Sequence, residues 1–113
     1  MVSRSLKAAE LLENQGIKAW VVNMRFVSPL DTAILEQAFN SGKEIFTVEE
    51  NVIDGGFGSA VAEYLTTKGC SAKLSLIGIP GEFGIQAPRE RLLEIYGLTP
   101  EAIAEKVRKG ILR

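Results

Sequence analysis

The alternation of apolar and polar positions predicts helices and strands that follow one another along the whole chain. Residues 3–14 place apolar side chains at helical spacing, and Gly16 follows as a stop signal. Ser3 is the expected N-cap of this helix. Leu6, Ala9 and either Leu12 or Glu13 are predicted to lie along one side of it. The same spacing predicts further helices at residues 31–40, 59–67, 88–96 and 99–111. Asp31 and Thr99 are the expected N-caps of the first and last of these helices. In the last helix, Ile103, Val107 and Ile111 are predicted to point inward.

Three segments have the length and composition of strands: residues 19–26, 44–49 and 73–79. The first is largely apolar on both faces, which is typical of a parallel sheet covered by helices. Strands that alternate with helices of about ten residues form right-handed βαβ units. The sequence therefore predicts an α/β fold with three layers, helices on both faces of a mainly parallel sheet.

The predicted sheet is thin for the number of helices around it. Three strands stand against five helices, and the chain opens on a helix with no strand before it. Because a parallel sheet needs both of its faces and both of its edges covered, a strand is missing from this pattern. We expect a single domain over residues 1–113 that is truncated at its N-terminus and lacks one or more N-terminal strands.

The composition excludes several classes of chemistry. The chain has no histidine, which removes the commonest general base and the commonest metal ligand. Cys70 is the single cysteine, so neither a zinc site nor a Cys–His nucleophile is expected, and a reducing cytoplasm is the expected compartment. A formal charge of −1 and short apolar runs argue against nucleic acid and membrane as partners.

The candidate functional corner lies between the second strand and the helix at 59–67. The strand ends in Glu49 and Glu50, and a glycine-rich turn with Gly55, Gly56 and Gly58 leads into the helix. In α/β proteins ligands bind at such corners, and backbone amides freed by glycines cradle phosphates. The spacing is neither G-x-G-x-x-G nor a Walker A loop, and no lysine follows. A tight packing turn is the favoured interpretation, and a weak anion site is the alternative.

The charged candidates are Glu49, Glu50 and Arg25. Adjacent residues on a strand point to opposite faces, so the two carboxylates cannot act together on one substrate atom. One of them can accept hydrogen bonds from the loop amides or the helix start, while the other faces solvent or a partner. Arg25 either binds an anion or pairs with one of these glutamates, and pairing is favoured. Trp20 is expected in the core or in an interface.

Several segments together resemble the C-terminal domain of the transketolase superfamily. The specific combination is R-F-V-x-P-L-D at residues 25–31 with V-E-E-N-x-x-x-G-G-F-G-S-A-V at residues 48–61. The segments Ile77–Pro80 and Leu92–Ile103 also match, so the resemblance covers nearly the whole chain. Within the superfamily, the 1-deoxy-D-xylulose 5-phosphate synthase family is the most similar.

The resemblance implies a part of a larger enzyme that uses thiamine diphosphate and magnesium. Such synthases join pyruvate to glyceraldehyde 3-phosphate with loss of carbon dioxide, toward isoprenoid precursors, thiamine and pyridoxal. Their first two domains hold the cofactor and the substrate, whereas the C-terminal domain packs against them and supports the homodimer. This chain is accordingly expected to bind no cofactor and to be inactive alone. It departs from the family at Gly81, where an Asp is usual, and at Gln86-Ala87, where a His-Gly pair is frequent.

Two alternatives remain open at this point. The chain also fits the C-terminal part of a split transketolase or of a 2-oxoacid dehydrogenase β subunit. The Phe83-Gly84 pair and the segment Tyr96-Gly97-Leu98 are both compatible with a split transketolase. From a different class, a stand-alone module could hold an anion or a nucleotide in its glycine loop.

Overall fold

The computed structural model describes residues 1–24, 31–81 and 86–112, except for the side chain of Asn51. Within them the elements follow in the order α1 (Val2–Glu13), α2 (Thr32–Phe39), β1 (Ile45–Val52), α3 (Phe57–Thr67), β2 (Leu74–Ile79), α4 (Arg89–Ile95) and α5 (Pro100–Ile111). None of the helices in these three stretches has the length and apolarity needed to cross a bilayer.

The sheet is built from one parallel pair of strands. β1 pairs with β2 in a register that joins Ile45 to Leu74 and Val48 to Ile77, with an irregularity before the last pair, Val52 and Ile79. α3 connects the two strands, as a parallel pair requires. The predicted second and third strands are therefore present, and the sheet has two strands in the described part of the chain.

Helices cover both faces of this sheet, which gives the predicted three-layer arrangement. On one face, α1, α4 and α5 form a first cluster with β2. Its buried members are Ala8, Leu12, Ile77, Leu93, Leu98, Ile103, Ala104 and Val107. On the other face, α2 and α3 form a second cluster around Leu35, Phe39 and Val61, against which Ile45 and Leu74 of the strands pack.

Short sequence patterns correctly predicted most of the helix ends. The Asp31 carboxylate accepts a hydrogen bond from the Ile34 N–H at 3.2 Å, and the Thr99 hydroxyl accepts one from the Ala102 N–H at 3.2 Å. Both residues are N-caps, as predicted. The chain then reverses at glycines with positive φ just beyond α1, α2, α3 and α4, namely Gly16, Gly42, Gly69 and Gly97.

The predicted first strand is wrong over residues 19–24. These residues have no strand pairing in the described chain. Trp20 is 78% exposed, so it is not a core residue, and its alternative position in an interface stays a prediction. A strand requires a neighbour that takes its backbone hydrogen bonds, and apolar composition alone does not supply one. Residues 25 and 26, the end of the predicted strand, lie outside the described residues.

Two helix faces and one cap were also mispredicted. Leu6 is 51% exposed and Ile111 is 40% exposed, whereas Ala8 and Leu12 carry the buried side of α1. An apolar residue at the rim of a helical stripe matches the 3.6-residue period almost as well as one at its centre. α1 begins one residue before Ser3, with Met1 at the N-cap position, so Ser3 is not the cap.

Candidate functional site

The glycine corner at the carboxyl end of β1 is built on a buried carboxylate. Glu49 is 5% exposed and points from β1 under the start of α3. Its Oε1 accepts the Phe57 N–H at 3.0 Å, and its Oε2 accepts the Gly58 N–H at 2.7 Å. One of the two adjacent glutamates was predicted to accept such bonds, and the structure assigns the role to Glu49. The negative charge also lies at the positive end of the α3 dipole.

The glycines make this close approach possible. A Cβ on Gly58 would stand 2.7 Å from Thr47 Oγ1 and 2.9 Å from Glu49 Oε2, and a Cβ on Gly56 would collide with the Glu49 carboxylate. Gly55 serves a different need, because its φ of 74° is one that side chains other than glycine rarely adopt. All three glycines therefore have a packing or turning role in this corner.

Further hydrogen bonds close the loop between β1 and α3. The Ser59 hydroxyl donates to the Ile53 carbonyl at 2.6 Å, and the Gly56 N–H donates to the same carbonyl at 3.0 Å. The Ile53 N–H in turn donates to the Ile79 carbonyl at 2.9 Å, which ties the loop to the end of β2. The corner is therefore a fixed backbone surface at the carboxyl end of the sheet.

A buried hydroxyl lies directly beneath α3. Thr47 is 5% exposed and shares the inward face of β1 with Glu49, and its Oγ1 has no hydrogen-bond partner among the residues that the structure describes. Sequence reasoning did not single this residue out, because a threonine in a strand carries no sign of its burial. Because Thr47 Oγ1 lies so close to Gly58, substitutions at Thr47 are expected to respond to changes in the distance between α3 and the sheet.

Glu50, on the opposite face of β1, joins an ion-pair network. Arg89 at the start of α4 donates to it twice, Nε to Oε1 at 2.5 Å and Nη2 to Oε2 at 2.6 Å. Arg89 also pairs with Glu90 at 3.4 Å, and Arg4 of α1 pairs with Glu90 at 2.9 Å. The network links β1, α4 and α1 on one side of the sheet.

The Arg89 pairing changes the acid–base properties of Glu50. The hydrogen bonds from Arg89 hold the pKa of the Glu50 carboxyl below its ordinary value, and the same contact raises the pKa of Arg89. No local signal pointed to Arg89, which lies 39 residues from Glu50. Arg25, the predicted partner of Glu49 or Glu50, lies outside the described residues, so that pairing stays a prediction.

Replacing Glu50 by glutamine is expected to flatten the loss of stability in acid. Because the folded pKa is lowered, the pairing stabilises the fold fully above the ordinary glutamate pKa of 4.5, and this contribution is lost as pH falls through the folded value. Glu50→Gln should therefore be less stable than the parent at pH 7 and should lose less stability on acidification. Urea unfolding at about pH 7 and about pH 3.5 measures both. Glu63→Gln, on the exposed side of α3, is the charge-matched control, and equal acid slopes for Glu50→Gln and the parent would contradict the assignment.

The arrangement leaves little capacity for chemistry at the corner. The two helix-terminal amides that a phosphate would need donate to Glu49 instead. Among the residues that the structure describes, no group of three Cys, Asp or Glu side chains is placed to hold a metal ion. The corner fits a packing or contact surface better than a binding pocket.

Comparison with known families gives one match over most of the chain. The model of the family described as "Transketolase, C-terminal domain" matches residues 1–103. The chain is 47% identical over 105 residues to the 1-deoxy-D-xylulose-5-phosphate synthase of Carboxydothermus hydrogenoformans, which covers 93% of this chain and 17% of that protein. It is 43% identical over 108 residues to the synthase of the same name from Chlorobium phaeovibrioides, covering 96% of this chain and 17% of that protein.

A solved structure has the same fold. It is described as a split gene transketolase, an inactive beta4 tetramer, and it superposes with a TM-score of 0.84 at 35% sequence identity. The match covers 96% of this chain and 35% of the solved chain. The chain spans about 17% of the length of the two synthases that it matches.

Proposed function

Because the chain belongs to the transketolase C-terminal domain family, we propose that it is the C-terminal domain of a 1-deoxy-D-xylulose 5-phosphate synthase. The curated relatives, at 41 to 47% identity, support this member of the superfamily. In the whole enzyme, pyruvate and glyceraldehyde 3-phosphate would condense with loss of carbon dioxide. The proposed role of this domain is to support the others and the homodimer, in the cytoplasm, and not to supply catalytic groups.

The observation that carries the supporting role is the internal use of Glu49. A catalytic or phosphate-binding corner leaves helix-terminal donors free for its ligand. Here the donors of Phe57 and Gly58 are satisfied by a buried carboxylate of the same domain. The loop from Ile53 to Gly56 is then held as a rigid surface, which suits contact with another domain or subunit.

Thiamine diphosphate and magnesium are assigned to other parts of the larger enzyme. A diphosphate needs several donors, and magnesium needs oxygen ligands such as carboxylates. In this domain Glu49 bonds the α3 amides and Glu50 bonds Arg89, so the residues of the corner do not fit either group. The proposed partners of this chain are therefore the remaining domains of the synthase and a second copy of the whole enzyme.

A split transketolase is the second candidate. The 35% identity and the TM-score of 0.84 to the split gene transketolase favour it. The synthase is preferred because two of its members reach 47% and 46% identity. The stand-alone anion module is the least favoured, because the Glu49 carboxylate occupies the place of the anion at α3.

The test is an assay of the purified chain and of its mixture with the other domains of the synthase. With pyruvate, glyceraldehyde 3-phosphate, thiamine diphosphate and magnesium, we expect no turnover by the chain alone. Turnover should return when the separately produced first two domains are added, and a donor ketose phosphate in place of pyruvate distinguishes transketolase activity. Turnover by the purified chain alone would contradict the proposed supporting role.

A thermal shift with phosphate and nucleotides provides the control for the anion module. A specific ligand at 100 times its Kd stabilises the folded state by about 2.7 kcal/mol, which is easily detected in a domain of this size. We expect no shift. A shift that Glu49→Gln does not change would place the ligand away from the corner, and one that the substitution alters would place it there.

A further inference from the structure

The start of α3 holds a carboxylate of its own chain between backbone donors. The N–H groups of Phe57 and Gly58 each donate to one oxygen of Glu49, at 3.0 Å and 2.7 Å. This place is largely closed to solvent, because Glu49 is 5% exposed and Gly58 is buried. The positive end of the α3 dipole adds to the attraction for a negative charge here. We call it the carboxylate site of α3.

The hydroxyl of Thr47 points into the carboxylate site without a partner. Thr47 is 5% exposed, and its Oγ1 makes no hydrogen bond within the described part of the chain. A Cβ on Gly58 would stand 2.7 Å from Thr47 Oγ1 and 2.9 Å from Glu49 Oε2, so both oxygens lie beside the same point of α3. Because a buried hydroxyl without a hydrogen bond is unfavourable, this donor is available to a ligand whose oxygen reaches it.

The covalent tether of Glu49 explains why the third donor is unused. Each Glu49 oxygen is engaged by one N–H of α3, and the other end of the side chain is fixed to β1. A carboxylate oxygen has two lone pairs and accepts more than one hydrogen bond. A free carboxylate is not fixed to the strand, so it can turn until one oxygen also meets the Thr47 hydroxyl.

We propose that the start of α3 is a binding site for a small free carboxylate, which Glu49 fills from within and which formate occupies once the Glu49 side chain is removed. The donors are the N–H groups of Phe57 and Gly58 and the hydroxyl of Thr47. Leu76 supplies an apolar wall, since its Cδ2 would stand 2.9 Å from a Cβ on Gly58. This narrow space admits a planar carboxylate and excludes a tetrahedral phosphate. The proposal does not rest on the proposed function of the domain.

The variant Glu49→Gly of the full chain tests the site. Cβ and Cγ separate the carboxyl carbon of a glutamate from its Cα, so formate in that place keeps an ordinary non-bonded distance from the glycine. In urea unfolding at about pH 7 and constant ionic strength, formate in place of chloride should stabilise this variant with saturation. At about ten times its Kd, formate raises the folding equilibrium constant about tenfold. Acetate should have a clearly smaller effect, because its methyl group crowds the Cα, and phosphate should have none.

Glu49→Gln is the matched control, because it removes the same charge but leaves an amide group in the site. Formate should stabilise neither this variant nor the parent, where the Glu49 carboxylate fills the site, beyond the general effect of the salt. Glu63→Gly, at an exposed position of α3, loses the same charge and keeps the site filled, so it should not respond either. Equal gains in all four proteins would overturn the proposal in favour of a general salt effect.

The amide signals of Phe57 and Gly58 in NMR spectra locate the bound formate. Removal of Glu49 should move both proton signals upfield, because charge-assisted hydrogen bonds are lost, and formate should return them toward the parent positions. Stabilisation without these changes would place formate elsewhere and overturn the site. If Glu49→Gly does not fold in chloride, Glu49→Ala is titrated instead, and unchanged Phe57 and Gly58 signals in that variant would overturn the site as well.

Thr47→Val in the Glu49→Gly background tests the third donor. Valine has nearly the shape of threonine but no hydroxyl, so the Kd of formate should rise about tenfold, as expected for the loss of one hydrogen bond to a charged group. Thr47→Ser keeps the hydroxyl and should leave the Kd much less changed. An unchanged Kd in the valine variant would overturn the assignment of Thr47 to the site. None of these measurements uses enzyme activity, so their outcome is independent of the activity assay.

Discussion

Substitution of Glu49 by alanine is expected to lower the free energy of unfolding by about 3 kcal/mol. The change removes two charge-assisted hydrogen bonds and leaves the N–H groups of Phe57 and Gly58 without their acceptor. A buried donor that loses its partner costs about 1 to 3 kcal/mol, and bonds to charged groups lie in the upper part of this range. Because Gly58 is buried, water cannot readily replace the carboxylate there.

Denaturant unfolding of three variants measures this effect. Glu49→Gln should fall between the parent and Glu49→Ala, because an amide oxygen can accept one of the two N–H groups while its NH₂ faces the other. Glu50→Ala is the matched neighbour, since it removes a carboxylate from the same strand but breaks a more exposed ion pair. It should cost clearly less than Glu49→Ala. Equal losses for the two alanine variants would show that Glu49 does not hold the start of α3.

Gly58→Ala is expected to destabilise the fold by about 2 kcal/mol, against the usual trend in helices. Glycine within a helix is normally less favourable than alanine by about 1 kcal/mol, so the substitution would ordinarily stabilise. Here the added Cβ would meet Thr47 Oγ1 at 2.7 Å, and both Glu49 Oε2 and Leu76 Cδ2 at 2.9 Å. The Glu49 oxygen is held by its own hydrogen bonds, so α3 must move away from the sheet.

A double-mutant cycle with Thr47→Ala tests that the clash is the cause. Thr47→Ala removes the atom nearest to the new Cβ, and within the described part of the chain the Thr47 hydroxyl has no hydrogen-bond partner to lose. The double variant should therefore be more stable than the sum of the two single effects by at least about 0.5 kcal/mol, which unfolding in urea resolves. Strict additivity would mean that Gly58→Ala acts through the helix backbone and not through the contact with Thr47.

The sequence allowed correct predictions of those features that depend on only a few neighbouring residues. Asp31 and Thr99 were recognised as caps because a short oxygen-bearing side chain three residues before a helical amide is a local pattern. The opposite orientation of Glu49 and Glu50 follows from the two-residue period of a strand.

The features that could not be predicted from the sequence depend on contacts between residues that are far apart in the chain. Ala19–Met24 has strand composition, but whether it pairs is decided by a neighbour that its own residues do not encode. The Arg89–Glu50 pair joins residues 39 apart, and neither side chain carries a sign of the other. The burial of Thr47 likewise results from where α3 settles, which depends on Gly58 and on the packing of the second cluster.

The Glu49 bonds bear on how glycine-rich corners are recognised in uncharacterised chains. The carboxylate precedes the two amides that it accepts by eight and nine residues, on the inward side of the strand that leads into the turn. A pattern search that scores only glycine spacing would count such a corner as nucleotide-binding. A glutamate eight or nine residues before the start of the helix, on the inward face of the strand, can accept the hydrogen bonds of the helix-terminal N–H groups itself. Searching for such a glutamate would therefore help to exclude corners of this kind from nucleotide-binding assignments.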